Sequence, residues 1–270
     1  MKSSILFTSV VLSGLLFATG LTASPATYAA SHAPTTQNAA VKQTTSYPPM
    51  NLVLQTEKRI GSTTSDAIRV YGQPFSPGAL YYKKFLVSIT NGHTGTVTFI
   101  PLSEGGYKPT ISYPYLINTS TPDIFIDSPT GGNGILSTDY LFSDQKGEFV
   151  GISMPTTPAI HAKLLNQYRI QFQIPSLKKT VVLSILDKKS AYDQAGVYRN
   201  GLLVKPFSLM IIPNGYFRPV VQKNGNTLLQ GTQEISGLYH ADGIANVFWN
   251  WKWTSQGWKL VSAVIFGQGS

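Results

Sequence analysis

Residues 245–266 read Ala-Asn-Val-Phe-Trp-Asn-Trp-Lys-Trp-Thr-Ser-Gln-Gly-Trp-Lys-Leu-Val-Ser-Ala-Val-Ile-Phe. In an extended chain successive side chains alternate between faces. Trp249, Trp251 and Trp253 therefore share one face, and Phe248, Asn250 and Lys252 the other. Gln256-Gly257 supplies the positive φ of a tight hairpin, after which residues 258–266 return as a strongly apolar second strand. A row of tryptophans on a strand has two uses. It builds core, the ordinary fate of Trp, or it forms a platform on which sugar rings stack. The apolar partner strand favours core, with Trp249 expected to be the most exposed of the three. Trp249 and Lys252 are the ligand-binding candidates of this segment.

Upstream the same grammar repeats. Short β-branched or aromatic runs alternate with turn residues at 67–71, 85–90, 96–101, 123–127, 135–142, 168–174, 180–186, 201–205, 207–212, 216–221 and 227–235. Asn91-Gly92, Lys146-Gly147, Asn200-Gly201 and Asn224-Gly225 carry hairpin chemistry. Runs at this spacing predict an all-β fold: an antiparallel meander, propeller-like or an irregular sandwich. Helix signal is thin; residues 158–167 and 188–195 could each hold one short helix. The β domain is expected over 51–270, with a possible division into two subdomains near 155–200.

The N-terminal end reads as an export signal. Lys2 gives the positive start, Ile5 to Leu21 an apolar run, and Thr27-Tyr28-Ala29 the small-residue cleavage pattern, so residues 1–29 are expected to be removed. The apolar run is short for a membrane-spanning helix of ~20 residues, and no other stretch is apolar enough to span. Residues 30–50, rich in Thr, Gln, Ala, Ser and Pro, read as a flexible leader. There is no cysteine, which removes disulfides and thiolate metal sites. The protein is expected to be secreted or held at the surface of a Gram-positive bacterium.

Net charge is +9, from 21 basic and 12 acidic residues, and charged residues are only 12% of the chain against ~25% in ordinary soluble proteins. Acids are the scarce type. This balance suits anionic polymers such as wall teichoic acids. Nucleic acid is a poor partner, because the chain is exported and has no dense Lys/Arg cluster. Working in acid, where carboxylates lose their charge, is a second way to read the scarcity.

A family likeness rests on several short motifs in a fixed order. They are Ser88-Ile89-Thr90-Asn91-Gly92-His93-Thr94-Gly95, Ile100-Pro101-Leu102, Gly106-Tyr107-Lys108-Pro109 and Gly131-Gly132-Asn133-Gly134. Further on come Val197-Tyr198-Arg199-Asn200-Gly201, the stretch 234–242, Trp251-Lys252-Trp253 and Ala263-Val264-Ile265-Phe266-Gly267. In this order the chain from about Ile68 to Gly267 resembles secreted proteins of spore-forming Gram-positive bacteria that carry VCBS or FG-GAP repeats. The resemblance implies Asp-rich hairpin loops that bind Ca²⁺. Here Tyr115, Ile117, Thr119 and Ser120 stand where the first loop would have its ligands and bend, and only Asp123 remains. Val220, Gln222 and Asn224 replace the acids of a second loop, with Gly225 keeping the turn. Ca²⁺ needs ~6–8 oxygen ligands. Asp123 and Asn224 are therefore read as remnants in ordinary hairpins, and no metal or cofactor is expected.

No catalytic motif is present: no G-x-S-x-G elbow and no H-E-x-x-H helix. The acids open to glycosidase-type work are Asp123, Asp127, Asp139, Asp144, Glu148 and Asp242. Asp123 and Asp127, four apart in one strand, lie roughly 13 Å apart, too far to act on one bond. The four histidines are isolated and read as surface or structural groups. Lys83 and Lys84 join Lys252 as candidate contacts for an anionic polymer. The expectation is a non-catalytic, envelope-associated binding or structural protein contacting wall polymers or polysaccharide. The alternative is an exported hydrolase of wall polysaccharide or peptide.

Overall fold

The computed structural model describes residues 49–61, 63–131, 136–212 and 215–268. The expected signal segment, and the leader up to residue 48, lie outside them. The fold is all-β and every strand pairing is antiparallel. The first sheet is a meander of β1 (Asn51–Lys58), β2 (Asp66–Pro74), β3 (Tyr82–Thr90) and β4 (Val97–Pro101). A second meander follows: β5 (Thr110–Ser112), β6 (Ile124–Pro129), β7 (Ser137–Gln145) and β8 (Glu148–Ile152). The two share one core, in which Ile68, Val70, Val87 and Ile89 meet Ile124, Ile126 and Phe142. Each such side chain removed from water contributes about 1.5–3 kcal/mol. The residues Phe85–Ile89 are buried without alternation, as expected of a strand covered on both faces.

The remaining strands pair only among themselves. The third sheet has the order β11 (Lys179–Ser184), β10 (Arg169–Ile174), β9 (His161–Leu165). The helix α1 (Lys189–Gln194) and a two-residue-per-strand hairpin of β12 (Tyr198–Arg199) and β13 (Leu202–Leu203) come next. In the last sheet β14 (Met210–Ile211) and β15 (Tyr216–Val221) both pair with β16 (Thr227–Ser236), which is followed by β17 (Gly243–Thr254) and β18 (Gly257–Gly267). Its inner face closes a core with the third sheet, where Ile170 and Phe172 cluster with Ile235, Val247 and Trp249. A smaller apolar cluster joins the outer face of the second sheet, through Phe125 and Leu141, to Leu229, Phe217, Trp253 and Trp258 of the last.

Two local expectations need correction. Residues 158–167 are not helical; they contain strand β9. Its Ala, Lys and Leu residues favour helix, but Ile160, Ala162 and Leu164 recur every second residue and all pack into the core while His161 and Lys163 stay exposed. Period-two burial outweighs propensities of a few tenths of a kcal/mol per residue. Asn91-Gly92 does not supply positive φ either. Asn91 Oδ1 accepts the amides of His93 (2.9 Å) and Thr94 (2.9 Å), and Gly95 takes the left-handed conformation. Lys146-Gly147, both at positive φ, is the tight hairpin turn expected of it.

Candidate functional site

The tryptophan row is core. Trp249 is 0% exposed and Trp251 3%, so Trp249 is not a ligand platform and is not the exposed member of the row. The register gives the reason. Trp249 lies opposite Gly231 on one side and Ala263 on the other, and the space that a side chain at Gly231 would fill is taken by the Trp251 and Phe217 rings, which help cover this face. Its Nε1–H donates to Gln233 Oε1 at 3.1 Å, which removes the cost of burying it. Trp253, half-buried, packs edge-on to Trp258 at 5.1 Å, and Trp258 Nε1–H donates to the Ser153 carbonyl at 2.8 Å.

The opposite face of the same sheet carries Lys252, exposed and paired across the strands with exposed Lys259. Beside them one polar side chain from each of four strands forms a continuous hydrogen-bonded row. Arg218 on β15 donates from Nε (3.0 Å) and NH2 (2.7 Å) to Gln230 Oε1 on β16. Gln230 Nε2 donates to Asn250 Oδ1 on β17 at 3.0 Å, and Asn250 Nδ2 donates to Ser262 Oγ on β18 at 3.0 Å. The adjacent row is Tyr216, Thr232, Phe248 and Val264. Thr232 is 3% exposed and its Oγ1 has no hydrogen-bond partner, an arrangement that costs about 1–3 kcal/mol. Phe266, 57% exposed, meets Phe248 edge-on at 5.8 Å. The sequence shows each of these residues, but only the register shows that they form rows.

Lys83 and Lys84 lie on the first sheet, apart from Lys252. They follow a β2–β3 hairpin whose tip exposes Phe75 and Leu80, and the Lys83 ammonium sits 5.0 Å from the Phe75 ring centroid. Surface charge is one-sided. Of the twelve acids only Glu57, Glu104, Glu148 and Asp187 are exposed, whereas every described lysine and arginine except Arg69 and Lys188 is exposed.

The hidden acids serve the fold. Asp123 Oδ2 accepts the amides of Leu116 and Ile117, both at 2.8 Å, so the presumed loop remnant clamps its own connection; burial raises its carboxyl above the usual range. Asn224 Oδ1 accepts the Asn226 amide at 3.1 Å in the β15–β16 turn. Asp144 Oδ1 accepts the Gly147 amide at 2.7 Å. Burial would push Asp242 up, yet the Lys188 ammonium at 2.9 Å, the Leu238 amide and the Tyr192 hydroxyl together hold it below the usual range. Among the described residues no three His, Asp or Glu side chains stand close enough to hold a metal.

One acidic pair escaped the sequence reading, which compared Asp123 with Asp127 along one strand. Asp127 and Asp139 are directly opposite across β6 and β7. Asp139 Oδ2 accepts the Phe217 amide of β15 at 2.7 Å, and Oδ1 accepts the Ser137 hydroxyl at 2.9 Å. Burial, then a hydrogen bond to Asp127 that only the protonated acid makes, push Asp139 up to about 8. A cleft of about 390 Å³ between β9 and residues 203–211 is lined mainly by Leu164, Leu203, Phe207, Leu209 and Ile211.

Residues 158–266 match the family model described as the YybI C-terminal domain. Neither a curated protein nor a solved structure matches the chain.

Proposed function

We propose that this chain is an exported, non-catalytic binding protein of a Gram-positive cell envelope that contacts anionic wall polymers. The observation that carries the reading is the separation of charges: among the described residues lysines and arginines face water almost without exception, while eight of the twelve acids are buried or half-buried. A surface of one sign attracts polyanions from a distance and loses that attraction as salt shortens the screening length. The export signal read in residues 1–29 puts the chain where such polymers are found. The hairpin bearing Lys83 and Lys84 adds exposed apolar tips, Phe75 and Leu80, to the positive charge.

The test is sedimentation with purified cell walls from about 0.1 M to about 1 M salt, over which the screening length falls from ~10 Å to ~3 Å. Binding should fall steeply, and Lys83→Glu/Lys84→Glu should weaken it at low salt. Binding indifferent to salt, or none, overturns the proposal. A hydrolase is the second reading, favoured by the Asp127–Asp139 contact. Two touching carboxyls differ from the ~5–9.5 Å separation of glycosidase pairs, and both oxygens of Asp139 are already engaged. Release of soluble fragments from walls, abolished in Asp139→Asn, would establish the hydrolase instead.

A further inference from the structure

We infer that the solvent face of strands β15–β18 binds an acidic polysaccharide, with the row Arg218–Gln230–Asn250–Ser262 as its polar grip and Phe248 and Phe266 as stacking rings. The inference rests on the envelope reading in taking the anion to be a sugar polymer, and it adds a site distinct from the Lys83/Lys84 hairpin.

Three features select that class of ligand. The first is the donor balance of the row. Gln230 Oε1 spends both acceptor positions on Arg218, and Asn250 Oδ1 and Ser262 Oγ each accept once within the row. What is left over is mostly donors: the other guanidinium N–H groups, one N–H on each amide and the Ser262 hydroxyl. A row rich in unused donors calls for a ligand rich in acceptors, and a guanidinium edge matches a carboxylate bidentately. The mutual hydrogen bonds also hold the side chains in one conformation, which lowers the entropy lost on binding.

The second feature is charge. Arg218, Lys252 and Lys259 are exposed beside or within the row, and the acid on this face, Glu234, sits in the next-but-one row, opposite Asn246. The third is the neighbouring aromatic surface. Phe248 and Phe266 stand edge to face, Phe266 is largely exposed, and half-buried Tyr216 occupies the far end of the same row as Phe248. Rings beside a polar row suit pyranose rings, which offer C–H groups on one face and hydroxyls at the edge; a simple phosphate chain has no such faces. The row crosses four strands, a span of about 14 Å at ~4.8 Å per strand, so the occupant is a chain of sugars rather than a single one.

The experiment is isothermal titration of the purified chain with polygalacturonate, with dextran as the neutral sugar polymer and polyphosphate as the ringless polyanion. Polygalacturonate should bind at least about tenfold more tightly than either control. Arg218→Lys, which keeps the charge and loses the planar fork, and Phe266→Ala should each weaken it about tenfold; both positions are exposed, so the fold survives. Asn250→Ala should do the same, with a thermal melt confirming folding. Lys83→Glu/Lys84→Glu should leave polygalacturonate affinity within about twofold. Equal binding of polyphosphate or dextran, or indifference to Arg218→Lys and Phe266→Ala, overturns the site. If those variants are silent while walls still bind through the hairpin lysines, the site fails and the envelope reading stands. If polygalacturonate binds through the row while walls do not bind, the reverse holds.

Discussion

Replacing Asp139 by Asn removes the titrating member of a carboxyl pair while keeping its shape. In the folded protein Asp139 holds its proton to about pH 8, whereas its ordinary value is 3.8. The native state thus binds a proton that the unfolded chain has released over most of that interval. Stability must then fall as pH rises through the window, the reverse of an ion-paired aspartate. Each unit of separation corresponds to about 1.4 kcal/mol, so the full gap sets a ceiling near ~6 kcal/mol. Water reaching this half-buried pair raises the local dielectric and brings the expected loss to about 2–3 kcal/mol. For a chain of this size that is a drop in melting temperature of about 5–10 °C between about pH 5.5 and about pH 8.5. In Asp139→Asn the side-chain amide can still meet Asp127, and the drop should shrink to about 2 °C or less. Circular dichroism melts at the two pH values measure both. The exposed histidines are common to the two proteins, so the difference between them isolates the pair. A parent melting temperature that rises with pH, or a variant that falls as steeply as the parent, would refute the shared-proton account.

Three further substitutions probe the core beneath the polar row. Trp249→Phe should cost about 1–3 kcal/mol in urea unfolding, since it leaves a void and strands Gln233 Oε1; a cost under about 0.5 kcal/mol would mean the indole is not packed. Gly231→Val should cost a similar amount, because a Cβ there would stand 2.8 Å from the Trp251 ring and 2.9 Å from Phe217; native-like stability would contradict that contact. Tyr192→Phe takes the hydroxyl from Asp242 and should lower stability by about 1 kcal/mol. Its effect should fade in acid below the ordinary carboxylate value of 3.8, once Asp242 protonates in the native state too, and an undiminished effect there would show that the hydroxyl's bond to the carboxylate is not its source.

Much of the architecture was legible before any coordinates. The sequence predicts residues 216–221 as a strand to the residue, and 245–254 and 258–266 nearly so, because alternation is strong and the 254–257 turn has Gly at positive φ. The alternation also separated Trp249 from Asn250 onto the correct faces. The apolar partner strand also points to the tryptophan face as the inner one. What it cannot show is that Trp249 is the most buried of the row, because that depends on what stands opposite it, a property of register between strands. The same ignorance hid the contact of Asp127 with Asp139 and the four-residue row, each made by residues 12 to 20 places apart in sequence. Strand β1 is illegible in sequence because Asn, Gln, Glu and Lys hold four of its five exposed positions, and residues 158–167 because good helix formers sit at strand spacing.

The small apolar cluster through Phe217, Leu229, Trp253 and Trp258 bears on how this chain could have been assembled. A fragment trimmed to the matching residues 158–266 would lay those side chains bare and leave the Phe217 amide without the carboxylate that now receives it. Such a piece is sticky by itself. In this chain the last sheet therefore relies on the preceding pair of meanders to keep those side chains out of water.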